Sequence, residues 1–308
     1  MEPLLLWILV LVIALYILIK SADYFTEFAE KIGLLIGMSP FLIGLTIVAF
    51  GTSAPELATS IASVFRNSPE IVLGNVIGSN IANILLVLGI AVLIAGRIHL
   101  KFKFNKFDKM LLAASALLLL FFGIDGSIGS FESGILLLLY VIYIASIVIS
   151  HKQNKIKKSS LRLQPFILLI FSGLVLYTSA ELAVKSVINI SGLIGLGKEI
   201  IAASVIAFGT SLPELVVSVT AVRKGKHGIA VGNILGSNIF NTLVVVSISG
   251  FLVSLPVTHM MASLGMIVMV LATFLFLFFV RNNKVGKWEG VVMLLIYLFF
   301  IFKLFNLL

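Results

Sequence analysis

Two glutamates occur in nearly identical nine-residue stretches of a strongly apolar chain. The first stretch, AFGTSAPEL, begins at Ala49 and contains Glu56, and the second, AFGTSLPEL, begins at Ala207 and contains Glu214. In both stretches the glutamate follows a threonine, a serine and a proline. Carboxylate, hydroxyl and backbone carbonyl oxygens are hard ligands, which suit Na⁺ and Ca²⁺ and not soft metals. The pattern therefore predicts a cation site.

A second pair of stretches supplies further oxygen ligands. GNVIGSNIAN ends at Asn83 and aligns without gaps with GNILGSNIFN, which ends at Asn241, and both pairs of stretches are 158 residues apart. A serine lies four residues before each of these asparagines, so the two side chains share one face of a helix. The predicted oxygen cage consists of Thr52, Ser53, Glu56, Ser79, Asn83, Thr210, Ser211, Glu214, Ser237 and Asn241. Four glycines of the second pair of stretches allow close approach between helices: Gly74, Gly78, Gly232 and Gly236.

The elements that carry these residues are predicted to cross a lipid bilayer. Of the 308 residues, 60% are hydrophobic and only 11% are charged, and apolar runs recur that approach the roughly 20 residues needed to span a membrane. With no cysteine, disulfide and thiolate chemistry are excluded. Polar and glycine-rich interruptions divide the chain into ten predicted spans: 3–31, 39–66, 70–96, 108–123, 129–150, 163–190, 198–223, 227–254, 258–281 and 286–306.

Positive charges predict the orientation of these spans. If both termini are extracellular, most of the 22 Lys and Arg residues fall on cytoplasmic segments, including the linker 151–162, HKQNKIKKSSLR. Positive residues favour the cytoplasmic face. The net charge of +9 is therefore attributed to one membrane face, and a nucleic-acid partner is not expected.

Each glutamate follows a proline inside a predicted span. Pro55 and Pro213 have no N–H, so the carbonyls of Gly51 and Gly209 lose their helical partners. The sequence therefore predicts a broken helix at each motif. Free carbonyls at membrane depth are tolerated where they line a cavity or meet a cation. An ionised carboxylate there costs at least about 2.5 kcal/mol, which favours a functional role over a structural kink.

The constant spacing indicates an internal duplication. Even the short SAD ending at Asp23 matches SAE ending at Glu181, 158 residues later. The chain is therefore predicted to contain two homologous halves, 1–150 and 163–308, joined by the linker. Each half has an odd number of spans, so the second half enters the membrane from the opposite side. The predicted fold is an all-α polytopic membrane protein with ten transmembrane helices, arranged as two inverted five-helix repeats.

Charge balance predicts how such a cage works. Two carboxylates neutralise one Ca²⁺, whereas an empty cage carries an uncompensated buried charge, which is costly. We therefore expect the protein to change sides only when it is loaded, which makes exchange obligatory.

The motifs resemble a known family. GTSAPE with GNVIGSNIAN, and GTSLPE with GNILGSNIFN, are similar to the two α-repeats of the sodium/calcium exchanger family, in particular its compact prokaryotic members, within the calcium/cation antiporter superfamily. The resemblance covers essentially the whole chain. It implies a secondary active antiporter and not an enzyme, which exchanges about three Na⁺ per Ca²⁺ electrogenically by alternating access. It also implies that the first and sixth helices slide against a core formed by the other eight.

The resemblance assigns roles within the cage. It implies that Glu56 and Glu214 bind Ca²⁺ through their side chains, while Thr52 and Thr210 lend backbone carbonyls. Asn83 and Asn241 are implied at the central site. The flanking Na⁺ sites are implied to involve four serines and two backbone carbonyls: Ser53, Ser79, Ser211, Ser237, Ala49 and Ala207. Asn241 stands where some archaeal and the potassium-dependent exchangers have Asp, which argues against K⁺ co-transport.

Partners and alternatives follow from the same resemblance. The expected partners are Ca²⁺, Na⁺ and the lipid bilayer of the cell membrane, with no cofactor and a monomer as the expected state. A proton/calcium or other cation/calcium exchanger remains the alternative, although the GNAxE pattern of proton exchangers is absent. An intramembrane protease is disfavoured, because a GxSG serine with a histidine partner and paired aspartate motifs are both missing. Two roles remain open for Asp23 and Glu181, either guarding an ion pathway or lying in a watery vestibule.

Overall fold

The computed structural model describes residues 2–100, 106–151, 163–194 and 211–304. Of these, 86% are helical. Helices that continue through a π-helical turn are counted as one. On that basis the described residues form α1 Glu2–Leu35, α2 Pro40–Phe65, α3 Glu70–Ala95, α4 Lys106–Phe122, α5 Ser130–His151, α6 Gln164–Leu193, α7 Leu212–Arg223, α8 His227–Leu252, α9 Met261–Phe279 and α10 Lys287–Leu304.

Within the described ranges, seven helices are long and apolar enough to cross a membrane: α1, α2, α3, α5, α6, α8 and α9. The other three helices do not meet these requirements of length and composition, each for a separate reason. Helix α4 has 17 residues, α10 carries Lys287, Glu289 and Lys303, and α7 begins at the edge of a range that the structure does not describe. The helices match the predicted spans closely, but ten membrane crossings and the inverted repeat stay predictions.

Two π-helical turns occupy equivalent places in the two halves. One spans Asn83–Val87 in α3 and the other spans Asn241–Val245 in α8, again 158 residues apart. Further π-helical turns lie at Gly44–Val48 in α2 and Met261–Gly265 in α9. Such a turn accommodates an extra residue in the helix and frequently marks a functional site. The first two begin at asparagines of the predicted cage, which the sequence alone did not indicate.

The predicted break at Pro55 is wrong. The helix runs without interruption over Ala49–Phe65, with Pro55 inside it. The irregularity in this helix falls earlier in the chain, in the π-helical turn at Gly44–Val48. In the second half, Pro213 lies in the first turn of α7, which starts at Leu212. Proline is favoured at this position, because the first helical N–H groups have no partner within the helix.

Two small antiparallel sheets were not predicted. Strand β1, Arg97–His99, pairs with β4, Lys284–Gly286. Strand β2, Ser127–Ile128, pairs with β3, Leu255–Pro256. The 158-residue spacing relates β1 to β3 and β2 to β4, so each sheet takes one strand from each half.

The centre of the protein is α8, whose apolar window is entirely buried. Helices α2 and α8 meet backbone to backbone: a Cβ at Gly232 would lie 2.2 Å from the carbonyl oxygen of Phe41, and one at Gly236 would lie 2.2 Å from that of Leu45. These two glycines therefore permit the predicted close approach between helices. The prediction is wrong for Gly74 and Gly78, since a Cβ at Gly74 would meet only the Met261 side chain and one at Gly78 would meet nothing within 4 Å. Helices α1 and α6 pack along one another at the periphery, with only 17% and 28% of their apolar windows buried.

Candidate cation site

Both glutamates of the repeated motifs lie in the interior. Glu56 and Glu214 are 0% exposed. Helix α2 provides Glu56 in its regular portion after Pro55. Glu214 lies in the first turn of α7, where the unpaired N–H groups and the helix dipole favour a negative charge.

A serine of the first half binds the glutamate of the second half. The hydroxyl of Ser53 donates a hydrogen bond of 3.1 Å to Oε1 of Glu214. Neither residue is exposed. The contact brings the N-terminal motif of α2 against the start of α7, so parts of both halves form one site.

Threonine Thr52 links α2 to α8. Its Oγ1 donates to Oδ1 of Asn233 at 3.0 Å and lies 3.4 Å from Oγ of Ser237. Thr52 and Ser237 are fully buried, and Ser79 of α3 is 2% exposed. The predicted ligands Ser79 on α3 and Ser237 on α8 therefore both lie in the buried core between the helices.

The two asparagines that begin the π-helical turns are buried but differ in their bonding. Nδ2 of Asn83 donates to Oδ1 of Asn238 at 3.1 Å, which leaves Oδ1 of Asn83 without a partner. Asn241 has no hydrogen-bond partner on either side-chain atom. Both side chains are 0% exposed.

Unpartnered oxygens are concentrated on the predicted ligands. In the described part of the chain, the buried oxygens without a hydrogen-bond partner include both of Glu56, Oε2 of Glu214, and the amide oxygens of Asn83 and Asn241. A buried polar atom without a partner costs free energy. Cation binding would offset this cost, and carboxylate and amide oxygens are a donor set that suits Na⁺ or Ca²⁺.

The composition of the cage is predominantly neutral. Among the described residues, no three His, Asp or Glu side chains cluster together. The candidate ligands are two carboxylates supplemented by amides, hydroxyls and backbone carbonyls. Such a set suits an ion that must be released again, since fewer charged ligands bind Ca²⁺ less tightly.

Not every predicted ligand can be located. Thr210 and Ala207 lie outside the described residues, together with Gly209. Ser211 is buried, at 3% exposure, at the start of α7. The carbonyl oxygen of Ala49 lies 3.4 Å from Oγ1 of Thr52, farther than the Asn233 oxygen to which that hydroxyl donates.

Four other asparagines support the cage and were not predicted. Nδ2 of Asn75 donates to Ser60 at 3.2 Å and to the backbone carbonyl of Glu56 at 3.3 Å. The equivalent Asn233 donates to Ser218 at 3.1 Å. Asn75 and Asn233 are 158 residues apart, and so are Ser60 and Ser218. The internal repeat is therefore the signal in the sequence that could have identified these supporting residues.

The remaining two supporting asparagines, Asn80 and Asn238, bind one another. Nδ2 of Asn80 approaches the backbone carbonyl of Asn238 at 3.4 Å, and Nδ2 of Asn238 donates to that of Asn80 at 3.2 Å. Asn80 also donates to Oγ1 of Thr242 at 2.7 Å. This reciprocal contact joins α3 to α8 beside the two π-helical turns.

Comparison with known proteins extends over nearly the whole chain. The family model described as sodium/calcium exchanger protein matches residues 6–149 and 164–306. The sodium/calcium exchanger MaX1 of Methanosarcina acetivorans is 32% identical, over 96% of this chain and 98% of that protein. The putative antiporter CaxA of Alkalimonas amylolytica is 31% identical, over 96% and 97% of the two chains.

A solved structure shows the same architecture. The sodium-calcium exchanger NCX_Mj, soaked with Na⁺ and Sr²⁺, superimposes with a TM-score of 0.84 at 29% sequence identity. The match covers 96% of this chain and 98% of that one.

Proposed function

Because this chain belongs to the sodium/calcium exchanger family, we propose that it is an antiporter that exchanges Na⁺ for Ca²⁺ across the cell membrane. The observation that carries the proposal is the set of buried, unpartnered oxygens on Glu56, Glu214, Asn83 and Asn241. Na⁺ and Ca²⁺ are here transported substrates, and the protein acts as a transporter and not as an enzyme.

The two glutamates supply the charge that Ca²⁺ requires. One Ca²⁺ between Glu56 and Glu214 leaves the cage neutral, and the carbonyls of Thr52 and Thr210 complete its coordination. Oxygens at Ser53, Ser79, Ser211, Ser237, Ala49 and Ala207 provide the flanking Na⁺ sites. With Asn241 in place of a third carboxylate, the cage holds only two negative charges.

Exchange is obligatory in this scheme. An empty cage would carry two mutually repelling carboxylates through the low-dielectric interior, which is costly. Loading by one Ca²⁺ or by about three Na⁺ offsets that charge, and three Na⁺ leave one net positive charge to move with each cycle. The exchange is therefore electrogenic.

The proposed framework is two inverted repeats, 1–150 and 163–308, with ten spans. Both termini are extracellular and the linker 151–162 is cytoplasmic, as the distribution of Lys and Arg favours. The equivalent π-helical turns of α3 and α8 and the equivalent strand pairs support the two-fold relationship. The protein acts as a monomer with α1 and α6 as its moving helices.

Reconstituted vesicles test the function. Na⁺-loaded vesicles diluted into Na⁺-free medium should accumulate radioactive Ca²⁺, and an inside-negative potential should slow this uptake, since each cycle carries net positive charge outward. A pH gradient without Na⁺ serves as the matched condition. Ca²⁺ uptake driven by the pH gradient and not by Na⁺ would establish the proton/calcium alternative instead.

A further inference from the structure

Two ion pairs tie helix α1 to the turn between α7 and α8. Nζ of Lys224 lies 2.8 Å from Oδ1 of Asp23 and also donates to the backbone carbonyl of Asp23 at 3.2 Å. Lys226 pairs with Glu30. Asp23 and Glu30 are seven residues apart, hence on one face of α1. The turn is therefore held against a single stripe of this helix.

The equivalent positions at the other end of the repeat are not joined. The 158-residue spacing relates Lys224 to Arg66, in the turn after α2, and Asp23 to Glu181 on α6. Both Arg66 and Glu181 are exposed, and they form no ion pair in the structure as described. Glu181 instead lies beside the hydroxyl of Tyr177, one turn earlier on the same helix.

Helix packing shows the same asymmetry. Helix α1 packs closely against α7, whereas α6 touches the equivalent helix α2 at only a few positions. Among the described residues, α1 and α7 are therefore held together near Lys224, whereas α6 and α2 pack less closely near Arg66, although the two places have equivalent charged residues.

We propose that these charges form two alternating latches of the transport cycle: an inner latch, Asp23 with Lys224, and an outer latch, Glu181 with Arg66. The inference rests on the exchange proposed above. When α1 and α6 move along the core, the inner latch opens and the outer latch closes, so that one end of the ion pathway is always held shut. The structure shows the conformation with the inner latch closed.

The two latches are unequal in this chain. The second inner pair, Lys226 with Glu30, has Ser68 and Ile188 at the equivalent outer positions, and these cannot form an ion pair. The side chains of the Lys226–Glu30 pair are 22% and 23% exposed, compared with 33% and 35% for Lys224 and Asp23. Solvent weakens such pairs, so the more buried second pair adds appreciably to the inner closure. The resting protein is therefore biased toward the conformation that is closed at the Lys224 end.

Paired cysteines test the alternation directly, because the chain has no cysteine of its own. One variant carries Asp23→Cys with Lys224→Cys, and the other carries Arg66→Cys with Glu181→Cys. A short bifunctional maleimide should link either pair in vesicles, and either link should stop Na⁺-driven Ca²⁺ uptake. If the Arg66/Glu181 variant exchanges ions but never links, or links and still exchanges, the latch proposal is overturned.

Single substitutions test whether the resting protein favours the conformation with the inner latch closed. In the Arg66→Cys/Glu181→Cys background, Glu30→Gln should raise the rate of linking about two- to five-fold, the range expected from one partly exposed ion pair. Lys226→Gln breaks the same pair from the other side and should act alike. The control is Glu27→Gln, on the same helix, because Glu27 pairs with Lys31 within α1 at 2.7 Å.

No increase in linking with either Glu30→Gln or Lys226→Gln, or an equal increase with Glu27→Gln, would contradict the bias. These rates are measured without reference to transport. A wild-type protein that fails to exchange Na⁺ for Ca²⁺ would refute the proposed function, whereas a wild-type protein that exchanges while the Arg66→Cys/Glu181→Cys variant never links would refute the latches alone.

Discussion

The hydroxyl of Ser53 on α2 donates a hydrogen bond of 3.1 Å to Glu214 on α7, across the two halves of the chain. The equivalent bond from Ser211 to Glu56 is not formed, because both carboxylate oxygens of Glu56 are without a partner among the described residues. The cage is therefore asymmetric although its sequence motifs are nearly identical.

This asymmetry predicts unequal effects of two serine substitutions. Ser53→Ala leaves the buried Oε1 of Glu214 without its hydrogen-bond donor, which costs about 1–3 kcal/mol, and should lower the unfolding temperature of the purified protein. Ser211→Ala should lower it less, since the Ser211 side chain makes no capping hydrogen bond. Thermal unfolding in detergent without Na⁺ or Ca²⁺ measures both. A larger loss for Ser211→Ala would contradict the described geometry.

Neutralising either buried carboxylate should abolish exchange. Glu56→Gln and Glu214→Gln retain the side-chain shape but remove half of the charge available to Ca²⁺. Without one carboxylate, a Ca²⁺ ion in the buried cage keeps an uncompensated positive charge, which is costly in the low-dielectric interior, so Na⁺-driven Ca²⁺ uptake should fall by at least about 100-fold. Glu70→Gln, at the exposed start of α3, is the matched control and should exchange normally. Normal uptake by either buried variant would remove the glutamates from the site.

The contact between α2 and α8 should not tolerate a methyl group. In Gly232→Ala the new Cβ would meet the carbonyl oxygen of Phe41 at 2.2 Å, and backbone cannot move aside as a flexible side chain can. Overpacking costs about 1–3 kcal/mol or more, so we expect a lower unfolding temperature and less folded protein. Gly134→Ala, whose Cβ would meet only Phe251 at 4.0 Å, should be unaffected. Size-exclusion chromatography and thermal unfolding compare the two variants.

The asparagine contact between α3 and α8 should be structural as well as supportive of the site. Asn238→Ala leaves Nδ2 of Asn83 without its partner and removes the side-chain donor to the Asn80 carbonyl, and an unsatisfied buried polar group costs about 1–3 kcal/mol. We expect lower thermal stability together with weaker apparent affinity for Ca²⁺, because Asn83 loses the bond that orients its amide. Asn189→Ala is the control, since that amide donates to the backbone carbonyl of Lys185 in its own exposed helix turn. Stability loss with unchanged Ca²⁺ affinity would restrict Asn238 to a structural role.

Much of the helical framework was predictable from hydropathy and from the residues that interrupt the apolar runs. Helices α3 and α5 begin and end within about two residues of the predicted spans, because glycine and polar residues separate their apolar runs. The cation-ligand candidates Glu56 and Glu214 were found because a carboxylate in an apolar span has few structural uses.

Other features depend on long-range packing and left little local trace. A π-helical turn such as Asn83–Val87 contains ordinary helix-forming residues, and its extra residue is accommodated only by its neighbours. The continuous helix through Pro55 likewise shows that long-range packing can outweigh the local tendency of proline to interrupt a helix. The strands were missed because two or three residues carry no detectable alternation, and their partners lie in the other half of the chain.

Those strands have a consequence for whether either half of the chain could fold alone. Since β1 pairs with β4 and β2 pairs with β3, neither half of the chain contains both strands of any sheet. A chain cut at the linker would leave all four strands without their hydrogen-bond partners, so each half completes its strand edges only in the presence of the other.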